Sequence, residues 1–105
     1  MSPTSPSGGS DPVVIVVCYD IADDRRRENL ASLLSGYGPR VQLSVFECEV
    51  RTKEELLQLR AELRGRIDPL EDQVRLYPTT PQTLNERYII GARVVEERAD
   101  YWIVR

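Results

Sequence analysis

The longest apolar run in the chain lies at Val13 to Tyr19 and ends at Asp20. Continuous β-branched residues over this length are typical of a central strand that is buried on both faces. Two later segments also have strand patterns. Residues 40–50 predict two strand pieces with a break near residues 42–44, and residues 73–77 alternate between apolar and polar side chains.

Two segments with a helical period separate these strands. The first begins at Asp23 or Asp24, which suit a helix N-cap, and ends in the glycines and proline of residues 36–39. The second begins with the capping box of residues 52–55, in which the glutamate is expected to reach back to the Thr52 amide. It is expected to end at residues 68–69, before proline. Apolar stripes support both helices, at Leu30, Leu33, Leu34 and Tyr37 and at Leu56, Leu59, Leu63 and Ile67.

The order of these elements predicts the fold. Strand, helix, strand, strand, helix, strand is the split βαβ pattern, so residues 12–78 predict an α+β, ferredoxin-like βαββαβ domain. Helices would cover one face of the sheet and leave the other face apolar and bare, which predicts a homodimer packed sheet to sheet. Residues 1–11 predict a disordered tail. Residues 79–105 predict a C-terminal extension in which 87–95 could be strand or short helix and 100–105 is an extra strand that contacts a partner.

The composition narrows the chemistry that the chain can perform. The 105 residues include no histidine, which excludes histidine bases, histidine metal ligands and histidine-dependent triads. Two cysteines, Cys18 and Cys48, are too few for a zinc site. Their sparse, unpatterned placement predicts a reducing cytoplasm, and a disulfide between them is the less favoured alternative. No apolar run approaches the ~18 residues of a membrane span. Because the net charge is −3, any contact with nucleic acid must depend on a local basic patch.

Three features are candidates for chemistry. Asp20 follows a buried strand, where α/β folds present functional groups, although a turn aspartate that caps the next helix is the alternative. A two-fold axis would bring the Asp20 side chains of two subunits together, and Mg²⁺ accepts such a pair of carboxylates. Arg25 to Arg27 lie at a helix start, where cations oppose the helix dipole. They therefore predict contact with an external anion such as phosphate, the alternative being a solvated first turn. Residues 44–46 alone predict only strand.

A series of short motifs runs in order along residues 13–77. They are Val16-Val17-Cys18-Tyr19-Asp20-Ile21, Asp23-Asp24-Arg25-Arg26-Arg27, Tyr37-Gly38, Val41-Gln42-Leu43-Ser44-Val45-Phe46-Glu47 and Glu71-Asp72-Gln73-Val74-Arg75-Leu76-Tyr77. Each motif is weak alone, but the ordered combination resembles the Cas2 family of CRISPR-associated adaptation proteins.

The resemblance implies a homodimer in which Asp20 of both subunits is the catalytic ligand of a shared Mg²⁺ or Mn²⁺. It also implies a complex with the Cas1 integrase, which inserts captured DNA into a CRISPR array. The nucleic-acid-binding residues are then expected to be Arg25, Arg26, Arg27 and Arg40, with Tyr19, Ser44 and Phe46 in support.

Three functions stay open at this point. In the first, the Asp20 pair holds a divalent cation that activates water for attack on a phosphodiester of RNA or duplex DNA. In the second, the dimer is a DNA-binding scaffold between integrase dimers and performs no chemistry. In the third, the domain is a ferredoxin-like regulatory module of another family.

Overall fold

The computed structural model describes residues 12–91, which form four strands and three helices. They are β1 (Val13–Asp20), α1 (Asp24–Ser35), β2 (Arg40–Gln42), β3 (Val45–Val50), α2 (Lys53–Arg64), β4 (Gln73–Pro78) and α3 (Pro81–Asn85). The strands of this range form one antiparallel sheet in the order β2-β3-β1-β4. The predicted α+β class and split βαβ arrangement are therefore confirmed. None of the helices in residues 12–91 is long and apolar enough to cross a membrane.

The central strand β1 divides the molecule into two faces. One face carries Ile15, Val17 and Tyr19, which are buried together with Leu30 and Leu34 of α1 and with side chains of β3 and α2. The other face carries Val14, Val16 and Cys18, which are only half-buried. The central position of β1 is thus confirmed, but within residues 12–91 only one of its faces is fully buried, because α1 and α2 pack on the same side.

The helix boundaries follow from local hydrogen bonds. Asp23 caps α1 by accepting from the Arg26 amide at 2.9 Å, which confirms the first of the two predicted caps. Thr52 caps α2 by accepting from the Glu55 amide at 3.0 Å. The second half of the predicted capping box differs by one residue, because the Glu55 carboxylate accepts from the Arg51 amide rather than from the Thr52 amide.

The end of α2 was predicted wrongly. The helix stops at Arg64, and Gly65 forms its C-cap with the Gly65 amide donating to the Ala61 carbonyl at 3.1 Å. Glycine is a poor helix former, so the helix ends there rather than three residues later at Asp68. Ile67 still packs against the core, but from the loop after the helix.

The C-terminal part of the described chain contains a short helix that the sequence did not predict. Thr79 continues the pairing of β4 by donating its amide and its hydroxyl to the Val14 carbonyl, each at 2.9 Å. Thr80 then caps α3 by accepting from the Thr83 amide at 3.1 Å. Residues 87–91 form no helix or strand, and residues 92–95 of the segment predicted as strand or helix lie outside the described residues. The predicted N-terminal tail and extra C-terminal strand also lie outside them.

A close approach of backbone to backbone fixes the segment between α1 and β2. The amides of Glu47 and Glu49 donate to the carbonyls of Pro39 and Tyr37, at 3.0 and 2.9 Å, so this segment continues the sheet beside β3. Gly38 lies between them, and a Cβ at this position would lie 1.9 Å from the Glu47 carbonyl oxygen. Only glycine therefore fits at residue 38.

Replacing Gly38 by alanine is expected to destabilise the fold by about 2–3 kcal/mol, because neither backbone segment can move without losing hydrogen bonds. Gly36→Ala is the matched control. Gly36 has φ −77°, and an added Cβ would lie 3.4 Å from the Leu33 carbonyl oxygen, an ordinary contact distance. The control is expected to change stability by less than about 1 kcal/mol. Urea unfolding of both variants measures the difference, and equal stabilities would contradict the packing argument.

Candidate functional site on the open face of the sheet

We call the face of the sheet opposite α1 and α2 the open face. It carries the β1 side chains Val14, Val16, Cys18 and Asp20, the β3 side chains Val45, Glu47 and Glu49, and the β4 side chains Gln73, Arg75 and Tyr77. The register pairs Val16 with both Glu47 and Tyr77, and Cys18 with both Val45 and Arg75. An apolar strip on β1 is therefore flanked by carboxylates on one side and by a guanidinium on the other.

Asp20 lies at the end of β1 on this face and is exposed. Its cross-strand partner is Gln73, the first residue of β4. The Asp20 carboxylate forms no side-chain hydrogen bond or ion pair with any other residue of 12–91, so its oxygens are free to act as ligands. The alternative prediction, that Asp20 caps α1, is excluded because Asp23 does so.

A single copy of the chain supplies one such carboxylate. The described residues contain no group of three or more carboxylate or thiol side chains that could hold a metal ion. The Asp20 carboxylate is a suitable ligand for Mg²⁺, since Mg²⁺ is often held by one or two carboxylates and several waters. A second protein ligand would have to come from another copy.

The loop that follows Asp20 is fixed by side chains from elsewhere. The Arg27 guanidinium donates to the Ile21 carbonyl at 2.9 Å. The Asp72 carboxylate accepts from the Ala22 amide at 2.9 Å, fifty residues away in sequence. Tyr19, on the other side of Asp20, donates its amide to the Ser44 carbonyl at 3.1 Å.

Asp72 is a buried carboxylate whose side chain is 0% exposed. It accepts from Nε of Arg26 at 2.8 Å and from the Asp68 amide at 2.8 Å, in addition to the Ala22 amide. These donors stabilise the charged form, so the Arg26 guanidinium and then the two amides hold the pKa of Asp72 well below its usual range. The sequence marked Asp72 only as part of a motif and gave it no role.

The three consecutive arginines have different surroundings. Arg25 is exposed and makes no side-chain bond to another residue of 12–91. Arg26 is held by Asp72 and by Glu71, the latter at 3.1 Å, so its counter-ion is internal. Arg27 pairs with Asp24 and is 41% exposed. The predicted phosphate contact by the whole run stays a prediction, and the geometry leaves Arg25 and Arg27 as the residues that solvent reaches most readily.

Arg40, Tyr19 and Phe46 form a second cluster, on the helix side of the sheet. The Arg40 guanidinium donates to the Leu43 carbonyl at 2.7 and 3.0 Å and lies over the Phe46 ring, 5.3 Å from its centroid. The Tyr19 hydroxyl donates to the same carbonyl at 3.1 Å. This cluster holds the turn between β2 and β3, and strand alternation puts it on the opposite face from Asp20. Ser44 contributes its backbone carbonyl, which accepts from Tyr19.

The family model for CRISPR associated protein Cas2 matches residues 13–87. The chain belongs to the Cas2 family. One relative, CRISPR-associated endoribonuclease Cas2 3 of Synechocystis sp., is 47% identical over 76 residues, which cover 72% of this chain and 82% of the relative. Another, CRISPR-associated endonuclease Cas2 2 of Thermus thermophilus, is 52% identical over 67 residues, covering 63% and 72%.

Solved structures agree with this membership of the Cas2 family. Streptococcus pyogenes Cas2 superposes with a TM-score of 0.67 at 31% identity, covering 74% of this chain and 99% of that one. A chain of a partial Cas6-RT-Cas1–Cas2 complex gives a TM-score of 0.66 at 32% identity, covering 74% and 90%. The resemblance seen in the sequence motifs is therefore confirmed, and the third function, a regulatory module of another family, is excluded.

The ion pair of the buried Asp72 carboxylate with Arg26 predicts how the free energy of unfolding changes in acid. An unfolded aspartate has a pKa of about 3.9, and the folded value for Asp72 is lower, so the pair contributes fully above pH ~5 and its contribution is lost as the pH falls below ~4. Asp72→Asn is expected to lower the melting temperature at pH 7 by several degrees and to flatten its decline between pH 5 and 2. Thermal unfolding followed by circular dichroism measures both effects.

The matched control is Glu28→Gln, which removes an exposed carboxylate of α1 that makes no side-chain bond within residues 12–91. It is expected to keep both the melting temperature and the acid slope of the parent. An Asp72→Asn variant that declines as steeply as the parent would show that other carboxylates govern the acid transition.

Proposed function

We propose that this member of the Cas2 family works as a homodimer in which two copies pack open face to open face. The support is the half-buried apolar strip of β1, which lies on the face of the sheet opposite α1 and α2. Glu47 and Glu49 flank it on one side and Arg75 on the other, so a two-fold axis can set the arginine of one copy against the glutamates of its partner. Tyr88, Ile89 and Ile90 add a strongly exposed apolar segment at 87%, 74% and 87%.

The proposed activity is metal-dependent hydrolysis of a phosphodiester in RNA or duplex DNA. The observation that carries it is Asp20, an exposed carboxylate without a bonding partner among the described residues, at the end of the central strand. Mg²⁺ or Mn²⁺ held by the Asp20 carboxylates of two copies would neutralise phosphate charge and activate a water molecule for in-line attack. Arg25 and Arg27, on the helix that follows, are proposed to bind the phosphate backbone. Two relatives carry endoribonuclease and endonuclease in their names, which agrees with this chemistry.

The proposed biological setting is the integration of new DNA into a CRISPR array in the cytoplasm. One structural neighbour is a chain of a complex that contains Cas1 and Cas2, which supports a Cas1 integrase as the partner. In this setting the dimer would bridge integrase subunits and bind DNA through its backbone.

A scaffold without chemistry is the second candidate. It is favoured by the lack of a complete metal-ligand group among the described residues and by the commitment of Arg26 and Arg40 to internal contacts. Both roles are compatible, and we favour a dimer whose structural role is primary and whose nuclease activity is dispensable for integration.

Asp20→Asn separates the enzyme from the scaffold. The variant keeps the size of the side chain but removes the charge that a divalent cation requires, so metal-dependent cleavage is expected to fall by about 100-fold or more. Cleavage of single-stranded RNA and duplex DNA is measured while Mg²⁺ or Mn²⁺ is titrated. Mixed with its Cas1 partner, the same variant is expected to support DNA integration at the parental level.

Glu28→Gln is the charge-matched control for this experiment and is expected to cleave at the parental rate. Parental cleavage by Asp20→Asn would remove Asp20 from the chemistry. Loss of integration in the same variant, with the dimer intact, would make the chemistry necessary to the biological role.

Val16→Asp tests the dimer through the centre of the open face. A carboxylate buried between two copies, next to Glu47, is expected to leave a folded monomer at micromolar concentrations where the parent is a dimer. Leu57→Asp, which changes a 49% exposed leucine of α2, is the control and is expected to remain a dimer. Light scattering gives the oligomeric state, and a monomeric parent protein would overturn the proposed packing.

Thiol labelling reports on the same surface. Burial raises the pKa of Cys48 to about 12, so alkylation of the native protein is expected to report on Cys18 of the open face. Cys18 is expected to react slowly in the parent dimer and quickly in Val16→Asp.

A further inference from the structure

The hydrogen bonds of Asp72 converge from three separate parts of the chain. The carboxylate accepts from Arg26 in the first turn of α1, from the Ala22 amide in the loop after β1, and from the Asp68 amide in the loop before β4. Both oxygens are used: Oδ1 accepts from Ala22 and from an Arg26 NH group at 3.3 Å, and Oδ2 accepts from Asp68 and from Arg26 Nε. One side chain thus joins the loop after β1, the start of α1 and the loop before β4.

Two residues of this network, Ala22 and Asp72 itself, lie close to Asp20 in the chain or in the sheet. Ala22 lies two residues after Asp20, and the residue after Asp72 is Gln73, the cross-strand partner of Asp20 in the sheet. The Asp72 bond to Ala22 therefore closes a short ring of contacts through Asp20, Gln73 and the loop. With the Tyr19 amide bonded to Ser44 on the preceding side, the backbone of Asp20 is fixed from both directions.

The free-energy cost of burying the Asp72 carboxylate indicates that it has a role besides stabilising the fold. The Asp72 carboxylate is withdrawn from water, and this costs free energy that its attraction to the partly exposed Arg26 guanidinium only partly offsets. What an ion pair adds is direction, since Arg26 presents a fixed fork of N–H groups to the carboxylate. Here the oriented carboxylate binds the Ala22 amide, so the ion pair determines the position of the loop after Asp20.

We infer that Asp72, with Arg26, is a positioning residue that holds the Asp20 carboxylate in the orientation needed to ligate a divalent cation. This inference rests on the proposed function of Asp20 as a metal ligand. Residues that orient a metal ligand typically contribute 10- to 100-fold to metal affinity or activity. Arg26 on this view is part of the support of the site and does not contact phosphate.

The test measures Mn²⁺ binding to the full-length protein by isothermal titration for the parent, Asp20→Asn, Asp72→Asn and Gly38→Ala. Asp72→Asn keeps the shape but replaces one acceptor oxygen by an N–H₂ group, which opposes a donor that the carboxylate had accepted from. It is expected to weaken Mn²⁺ binding by about tenfold or more. Faster hydrogen exchange of the Ala22 amide, measured by NMR, is the expected local signature.

Gly38→Ala is the control for general destabilisation, because the three atoms nearest to a Cβ at residue 38 all belong to β3. At a temperature well below both melting points it is expected to bind Mn²⁺ as the parent does and to leave Ala22 exchange unchanged. A loss of affinity in Gly38→Ala as large as in Asp72→Asn would overturn the positioning role in favour of a purely structural one.

The remaining outcomes separate this inference from the proposal that it rests on. If Asp20→Asn loses Mn²⁺ binding while Asp72→Asn keeps the parental affinity, the positioning role is wrong and the metal site stands. If Asp20→Asn binds Mn²⁺ as tightly as the parent, the metal site is wrong and the positioning inference fails with it.

Discussion

The structure depends on the pairing of β1 along both of its edges, with β3 on one side and β4 on the other. Because β1 is hydrogen-bonded along both edges, its register in the sheet is set. The alternation of its side chains then decides which residues lie on each face. Ile15, Val17 and Tyr19 point to the helices and form the centre of the core. Asp20 and the half-buried Val16 and Cys18 point the other way. The core and the candidate site therefore lie on opposite faces of the same strand, β1.

Asp72 links this strand to the rest of the site. A buried carboxylate next to a helix start would be costly if it were unpaired, and here every donor around it is a charged side chain or a backbone amide. The pair also explains why Arg26 is tolerated in the first turn of α1, where a cation opposes the helix dipole. Its compensating charge comes from the loop before β4 and not from a ligand.

The three consecutive arginines do not form a single basic patch in the structure. Consecutive arginines in a sequence suggest one basic patch, but α1 turns each side chain by about 100° relative to the last, and the three meet different surroundings. Arg26 faces the β4 loop, Arg27 faces the loop after Asp20, and Arg25 faces solvent. Arg40 likewise lies over Phe46 on the helix side of the sheet. The acidic net charge of the chain is consistent with a nucleic-acid contact that uses few cations on a limited surface.

The sequence by itself determined the order of the elements, the start of α1 at Asp23 or Asp24, the break between β2 and β3 and the position of Asp20 at the end of a central strand. These follow from local rules, since β-branched runs, helical spacing and capping side chains act over a few residues. The family motifs also lay in the sequence. The glycine at residue 65 stops α2 locally, before the predicted end at Asp68. Tertiary structure alone decided the contact between Asp72 and Arg26, 46 residues apart, and the requirement for glycine at residue 38. Both arise where segments distant in sequence approach each other, so the local sequence pattern could not decide them.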